Sequence, residues 1–146
     1  MTKTEARDAV AVIVVRLNPQ TDKPLFDEFV ENVYFPYYSR KWKASTCENN
    51  KQRMRTHLLA AFGGRTLDSL LRDELQDFMD GKGDAGLSFS VVDQLRWDLR
   101  QIFDMAIAEG KVLRNPALLL FTPKTAPKPL HKAMTVDEVR RCFAAL

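Results

Sequence analysis

The stretch SFSVVDQLRWDLRQIFDMAIAEG, residues 88–110, decides how this chain folds. Val92, Leu95, Leu99, Ile102, Phe103 and Ala106 recur at helical spacing and make one apolar stripe. Ser88 or Ser90 can cap the first turn, and Gly110 suits the left-handed turn that closes a helix. Such a helix is about 30 Å long, enough to serve as the spine of a small domain.

Reading toward the N-terminus, the neighbours are also helical. Arg72 to Met79 is a short helix with Leu71, Leu75, Phe78 and Met79 inward, and Gly81 to Gly86 is its exit loop. A longer helix opens at Ser45 or Thr46 and runs to Phe62. Its inner face carries Cys47, Met54, His57, Leu58 and Ala61, and Gly63-Gly64 ends it. Leu25 to Ser39 is another helix, with Phe26, Phe29, Val30, Val33 and Tyr37 on one face and Pro36 kinking or breaking its last turn. The chain begins with Thr2-Lys-Thr-Glu5, a capping-box pattern, and the segment it opens ends at Asn18-Pro19. Its middle, Val10 to Val15, is β-branched and fits a strand as well as a helix; we expect a helix. Val10, Ile13, Val14 and Leu17 form a stripe too apolar to stay in water.

Toward the C-terminus the pattern changes. Pro116, Pro123, Pro127 and Pro129, interspersed with lysines, predict an extended, semi-rigid linker over residues 115–134. Thr135-Val-Asp-Glu138 is a second capping box and opens a helix with apolar Val139, Phe143 and Leu146.

The 146 residues are 45% hydrophobic and 28% charged, which excludes a disordered or fibrous chain. The longest apolar run, Ala9 to Val15, is far short of the ~20 residues that span a bilayer. No export signal is read, so the expected location is cytoplasmic, with Cys47 and Cys142 as reduced thiols. The net charge of +3 conceals segregation. Arg40, Lys41, Lys43, Lys51, Arg53 and Arg55 are opposed only by Glu48. Asp68, Asp73, Glu74, Asp77, Asp80 and Asp84 face only Arg72 and Lys82. Lys111, Arg114, Lys124, Lys128 and Lys132 follow with no acid between them. Basic segments gathered on one face would neutralise phosphates.

No catalytic constellation is found. His57 and His131 lack partners at metal-ligand spacing, and no P-loop, dinucleotide fingerprint or nucleophile elbow occurs. No metal or cofactor is expected. His57 reads as a satisfied core histidine, Asp73, Asp77 and Asp80 as a solvated face, and Tyr34, Tyr37 and Tyr38 as packing residues. Opposite the apolar stripes stand Asn49, Gln52, Arg53 and Thr56 on one helix and Ser90, Gln94, Trp97 and Gln101 on the other. Asn, Gln and Arg can make paired hydrogen bonds to base edges, and Ser and Thr reach phosphates. Trp97 is out of place on a solvated face, so either the N-terminal helix or a partner covers it.

Several short motifs fall in a telling order. They are Phe26-x-x-Phe29, Trp42-Lys-x-Ser45-Thr46, His57-Leu-Leu-x-x-Phe62-Gly63, Leu67 through Gln76-x-Phe78, Gly86-Leu87-Ser88, Leu99-Arg-x-Ile102-Phe103-x-x-Ala106-x-x-Glu109-Gly110, Asn115-Pro116-Ala117 with Pro123-Lys124, and Met134-Thr135-x-x-Glu138-Val139. In this order and spacing they resemble the SAM-like core-binding domain of tyrosine recombinases, the phage-integrase family, from Leu25 to Leu146. Asn50 and Arg96-Trp97 depart from the family's usual apolar or small residues.

The resemblance implies an all-α fold, a small four- to five-helix orthogonal bundle with an extra N-terminal helix and a C-terminal linker. It implies a division into an N-terminal helix and loop (1–24), the core-binding domain (25–114), a basic linker (115–134) and the first helix of an absent catalytic domain (135–146). Helices 45–62 and 88–109 would lie near the major groove of duplex DNA, with other recombinase protomers as further partners and no membrane. The expected DNA-binding residues are Lys41, Lys43, Ser45, Thr46, Asn49, Arg53, Ser88, Ser90, Gln94, Arg100, Lys124 and Lys128. The family's catalytic Arg, Lys, His-x-x-Arg and nucleophilic Tyr belong to the next domain, so this chain is expected to bind DNA without cutting it. The alternative is a free-standing helical module that binds a protein through residues 9–15.

Overall fold

The computed structural model describes residues 23–130 and 133–146. The expected N-terminal helix and its apolar stripe lie outside the described residues. Among those described, every regular element is helical, and the one β feature is an isolated antiparallel bridge between Leu25 and Thr66.

Helix α1 starts as Phe26–Phe29, widens into a π-helical turn over Val30–Tyr34, and closes as Phe35–Tyr38. Pro36 therefore does not break the helix. The wider turn before it gives room for a ring that would collide with an α-helical carbonyl. That turn also advances the inward face by about one residue. Phe26, Phe29, Val30, Tyr34 and Phe35 are buried and Tyr38 packs on them, whereas Tyr37, expected inward, is exposed.

Helix α2 follows the same plan: Ala44–Met54, a π-helical turn Arg55–Leu59, then Ala60–Phe62. Its N-cap is Lys43, not Ser45 or Thr46, and no side chain caps it. Met54, Leu58 and Phe62 are its buried residues. Ala61, expected inward, is exposed, because the π turn rotates the last turn past the position that α spacing assigns. Gly63 does not close α2 with positive φ; its φ is −53°. A Cβ there would sit 2.5 Å from the Leu59 carbonyl and 3.4 Å from Asp27 Cβ, so crowding explains the glycine. The loop that follows is stitched to the start of α1 by Phe26 N–H to Arg65 O (2.8 Å) and Leu67 N–H to Pro24 O (3.2 Å).

After a 3₁₀ turn, Leu67–Ser69, α3 covers Arg72–Asp84, longer than the expected Arg72 to Met79. It runs through Gly81 and Gly83, which the sequence reading gave to a loop. Leu75 and Met79 face the core, whereas Leu71 is the exposed N-cap residue, its N–H bonded to Glu74 Oε2 (3.2 Å). Helix α4, Phe89–Ala108, matches its sequence reading closely. Ser88 caps it, all six stripe residues are buried, and Gly110 takes φ +70°. The core lies along this stripe, where Phe26 meets Phe62 and Phe103, and Phe62 meets Phe78.

Residues 115–127, expected as part of a free linker, are folded onto the bundle. Ala117, Leu120 and Ala126 are buried. The Asn115 amide donates to Arg100 O (3.0 Å) and Asp104 Oδ1 (2.7 Å) while its oxygen accepts from Ala117 N–H. The Gln76 side chain pairs with both polar groups of the Phe121 backbone. Phe89 N–H donates to Pro127 O (2.9 Å). Small and apolar residues between the prolines give this segment enough burial to dock. Helix α5, Val136–Ala144, carries the expected Thr135/Glu138 capping box and has no buried residue.

Candidate nucleic-acid interface

Helices α2 and α4 are joined by Arg53 and Asp98. Arg53 Nε donates to Asp98 Oδ2 at 2.8 Å and Nη2 to Oδ1 at 3.0 Å, with the carboxylate almost wholly buried. Burial pushes the Asp98 carboxyl above the ordinary carboxylate range, and the Arg53 fork and the Gln94 amide oppose that push. The Tyr34 hydroxyl donates to Gln101 Oε1 nearby (3.0 Å), and its burial, reinforced by the Asp98 charge, raises it far above the usual phenol value. Tyr34 is thus a packed hydrogen-bond donor, and Tyr38 stacks on Trp42.

Around this junction the expected contact residues divide into two groups. Lys41, Lys43, Ser45, Thr46 and Asn49 line the exposed start of α2, and Ser90 and Gln94 are exposed on α4. Among the described residues Lys41, Lys43, Arg100, Lys124 and Lys128 make no ion pair. Arg53 does not join them, because its charge is matched by Asp98. Ser88 is committed in part to capping, its oxygen accepting from Val91 N–H (3.4 Å). With Phe89 N–H already given to Pro127, the α4 N-terminus offers fewer donors than a bare helix end. At α2 no side chain closes the N-terminus, so its first amides stay available. Lys128 lies over the Phe89 ring (4.9 Å).

Trp97 is 44% exposed and lies between two guanidinium groups, Arg96 at 4.6 Å and Arg100 at 5.5 Å from the ring centre. Arg96 is held by Asp93, which also accepts from Thr122. The two family departures on α4 thus form one stacked unit. His57 is only half-buried, and its buried Nδ1 has no hydrogen-bond partner, contrary to the expectation of a satisfied core histidine. Its ring lies near Lys82 and Arg53, whose cations, after burial itself, depress its pKa. Sequence reading missed Asp98, and it placed Gln101 outward without the bond that Gln101 accepts from Tyr34. Asp98 lies one position before Leu99 in the stripe, and that adjacency was the available signal.

The family model for the N-terminal SAM-like domain of phage integrase matches residues 25–82. Residues 25–82 are thus similar to a phage-integrase SAM-like domain. Two solution NMR structures share its fold. One is an integrase-like domain from Bacillus cereus, 19% identical, with a TM-score of 0.66, covering 77% of this chain and 94% of that one. The other is a fragment from Clostridium leptum, 22% identical, with a TM-score of 0.61, covering 73% of this chain and 95% of that one. Both coverages exceed the span of residues 25–82, so the shared fold extends beyond the SAM-like match. No curated protein matches the chain. Among the described residues no helix is long and apolar enough to cross a membrane.

Proposed function

We propose that the SAM-like domain is the core-binding domain of a site-specific tyrosine recombinase and holds duplex DNA against α2 and α4. The observation that carries this reading is the distribution of matched and unmatched charge. Arg53, Arg55, Arg65, Arg72 and Arg96 are each paired with a carboxylate. Among the described residues Lys41 and Lys43, at the uncapped start of α2, have no acidic partner, and neither has Arg100 on α4. Unmatched cations beside open helix amides suit phosphate oxygens. Asn49 and Gln94 stand outward where amides could meet base edges.

The domain positions DNA, and the chemistry of strand exchange belongs to catalytic residues outside this sequence. In that reading residues 25–127 are the DNA-binding unit, and α5, amphipathic and unburied, packs against the catalytic domain of the recombinase. Other recombinase protomers meet it on DNA.

The test is fluorescence anisotropy of labelled duplex at several salt concentrations. Non-specific affinity of roughly 10⁻⁴–10⁻⁶ M near physiological salt, weakening as salt rises, is expected. Binding that ignores salt would overturn the reading. With a suicide substrate, no covalent protein–DNA adduct should form.

A further inference from the structure

The exposed row of α4 that carries Gln94 also carries Trp97, almost one turn further on. Its ring is not loose. The Arg96 and Arg100 guanidinium groups lie over it, at 4.6 and 5.5 Å from its centre. Arg96 Nε donates to Asp93 Oδ1 (2.9 Å), and that oxygen also accepts from the Thr122 hydroxyl (2.8 Å). The Asn115 amide donates to the Arg100 carbonyl (3.0 Å). The stack is thus tied at both ends to the docked segment 115–127. Little side-chain freedom remains to be lost when a partner covers the indole. A large ring fixed at a surface is the kind of side chain that carries binding energy.

Its surroundings define the partner. Arg96 is matched by Asp93, whereas Arg100 has no acidic partner among the described residues, so the site attracts an anion. The inference that follows rests on the reading of α2 and α4 as the DNA-binding face. A helix enters the major groove, about 12 Å wide, and not the minor groove, about 6 Å wide. The base edges there present hydrogen-bonding atoms and one apolar group, the C5 methyl of thymine. A ring with guanidinium groups over it is not free to slide between base pairs, which needs both faces bare. Its exposed part can meet an apolar group on a base edge.

We propose that Trp97 reads thymine, packing its ring on the C5 methyl in the major groove while Arg100 meets a neighbouring phosphate. Gln94 and Trp97 are about 4.5 Å apart along the helix axis. Stacked bases are about 3.4 Å apart, so adjoining base pairs come within reach of the two side chains. The residues Arg96 and Trp97, which depart from the family's usual pattern, then serve sequence preference.

Deoxyuridine is thymidine without that methyl. An alternating A·T duplex and its A·U counterpart, titrated against the intact chain by anisotropy and tryptophan emission, test the proposal. In these duplexes the contact is available in every register. The chain should bind A·T about fourfold more tightly than A·U, the worth of one buried methyl group. Trp97→Ala should lose that preference, and Trp97→Phe, which keeps a ring, should retain part of it. The A·T duplex should quench the parent's emission but not that of Trp97→Ala. There the remaining signal comes from Trp42, packed on the core, and its unchanged wavelength shows that the fold is kept. Equal affinity of the parent for the two duplexes would overturn the proposal. So would a preference that survives in Trp97→Ala, or emission that neither duplex quenches. If salt-dependent binding persists in those cases, the DNA-binding reading stands and the role of Trp97 alone fails. A chain that binds neither duplex fails both.

Discussion

Arg53 and Asp98 grip each other through two parallel hydrogen bonds, and this fork joins α2 to α4. A buried carboxylate without its cation is costly, so removing one partner should hurt more than removing both. Arg53→Met alone is expected to cost about 3 kcal/mol in urea unfolding. Arg53→Met with Asp98→Leu should recover much of that loss. If the single and double variants lose the same amount, the fork does not carry the junction.

Acid should weaken the fold in two stages. The His57 pKa is lowered from its ordinary 6.5 by burial, then by Lys82 and Arg53. The unfolded chain therefore takes up this proton first, and stability begins to fall once pH drops below about 6.5. Glu31, Asp68, Asp93 and Glu74 are held below the ordinary carboxylate range. Hydrogen bonds from Arg55, Lys23 and Arg65 do this for Glu31, Asp68 and Glu74. In Asp93, Thr122 and Arg96 outweigh burial. Their stabilisation is present above the unfolded pKa values, near 4, and is lost as pH falls through the folded ones. Asp98, raised by burial, has the opposite sign and softens the second stage. Melting temperature against pH should thus show a shallow decline below 6.5 and a steep one below 4. His57→Gln should remove the shallow part only.

Gly83 tests whether residues 115–127 are part of the domain. A Cβ there would lie 2.8 Å from both Pro123 Cγ and Thr125 Oγ1. In a free helix Gly→Ala should stabilise by about 0.5–1 kcal/mol. In this fold Gly83→Ala is expected to destabilise by about 1–3 kcal/mol, because the docked segment must shift. Thermal unfolding decides the sign, and a gain in stability would mean that the segment is not held there.

What the sequence made readable follows from regularity. In α4 every stripe residue, the cap and the closing glycine keep helical spacing, so periodicity alone found them. In α1 and α2 the π turns shift the inward face by about one residue, which moved Tyr37 and Ala61 to the wrong side. A π turn has no composition of its own to betray it. The docking of 115–127 was hidden because its three prolines break any helical or strand period and read as a linker, while Asn115, Ala117, Leu120 and Ala126 do the packing. Most of the expected DNA-facing residues are indeed exposed. The pairing of Arg53 was not legible because its partner, Asp98, is 45 residues away and ion pairing at that distance leaves no local pattern.

The sharpest prediction about DNA comes from that pairing. Each unmatched cation that neutralises a phosphate contributes about 1 to the slope of log K against log salt. Lys41→Ala, Lys43→Ala and Arg100→Ala should each lower the slope by about 1 if the bound duplex lies on α2 and α4. Arg53, also on α2, has the same formal charge, but its charge is already matched by Asp98. Arg53→Met should therefore leave the slope nearly unchanged, and any loss of binding should follow its loss of stability. Gln94→Ala should change preference among sequences without changing the slope, since an amide reads base edges and displaces no counterion. Asp73→Asn and Asp77→Asn, on exposed positions of acidic α3, serve as controls and should not weaken binding. Anisotropy titrations at four salt concentrations, run below each variant's melting temperature, measure all of these. If the lysine variants keep the parent slope while the α3 variants lose affinity, the duplex lies on the other face of the bundle.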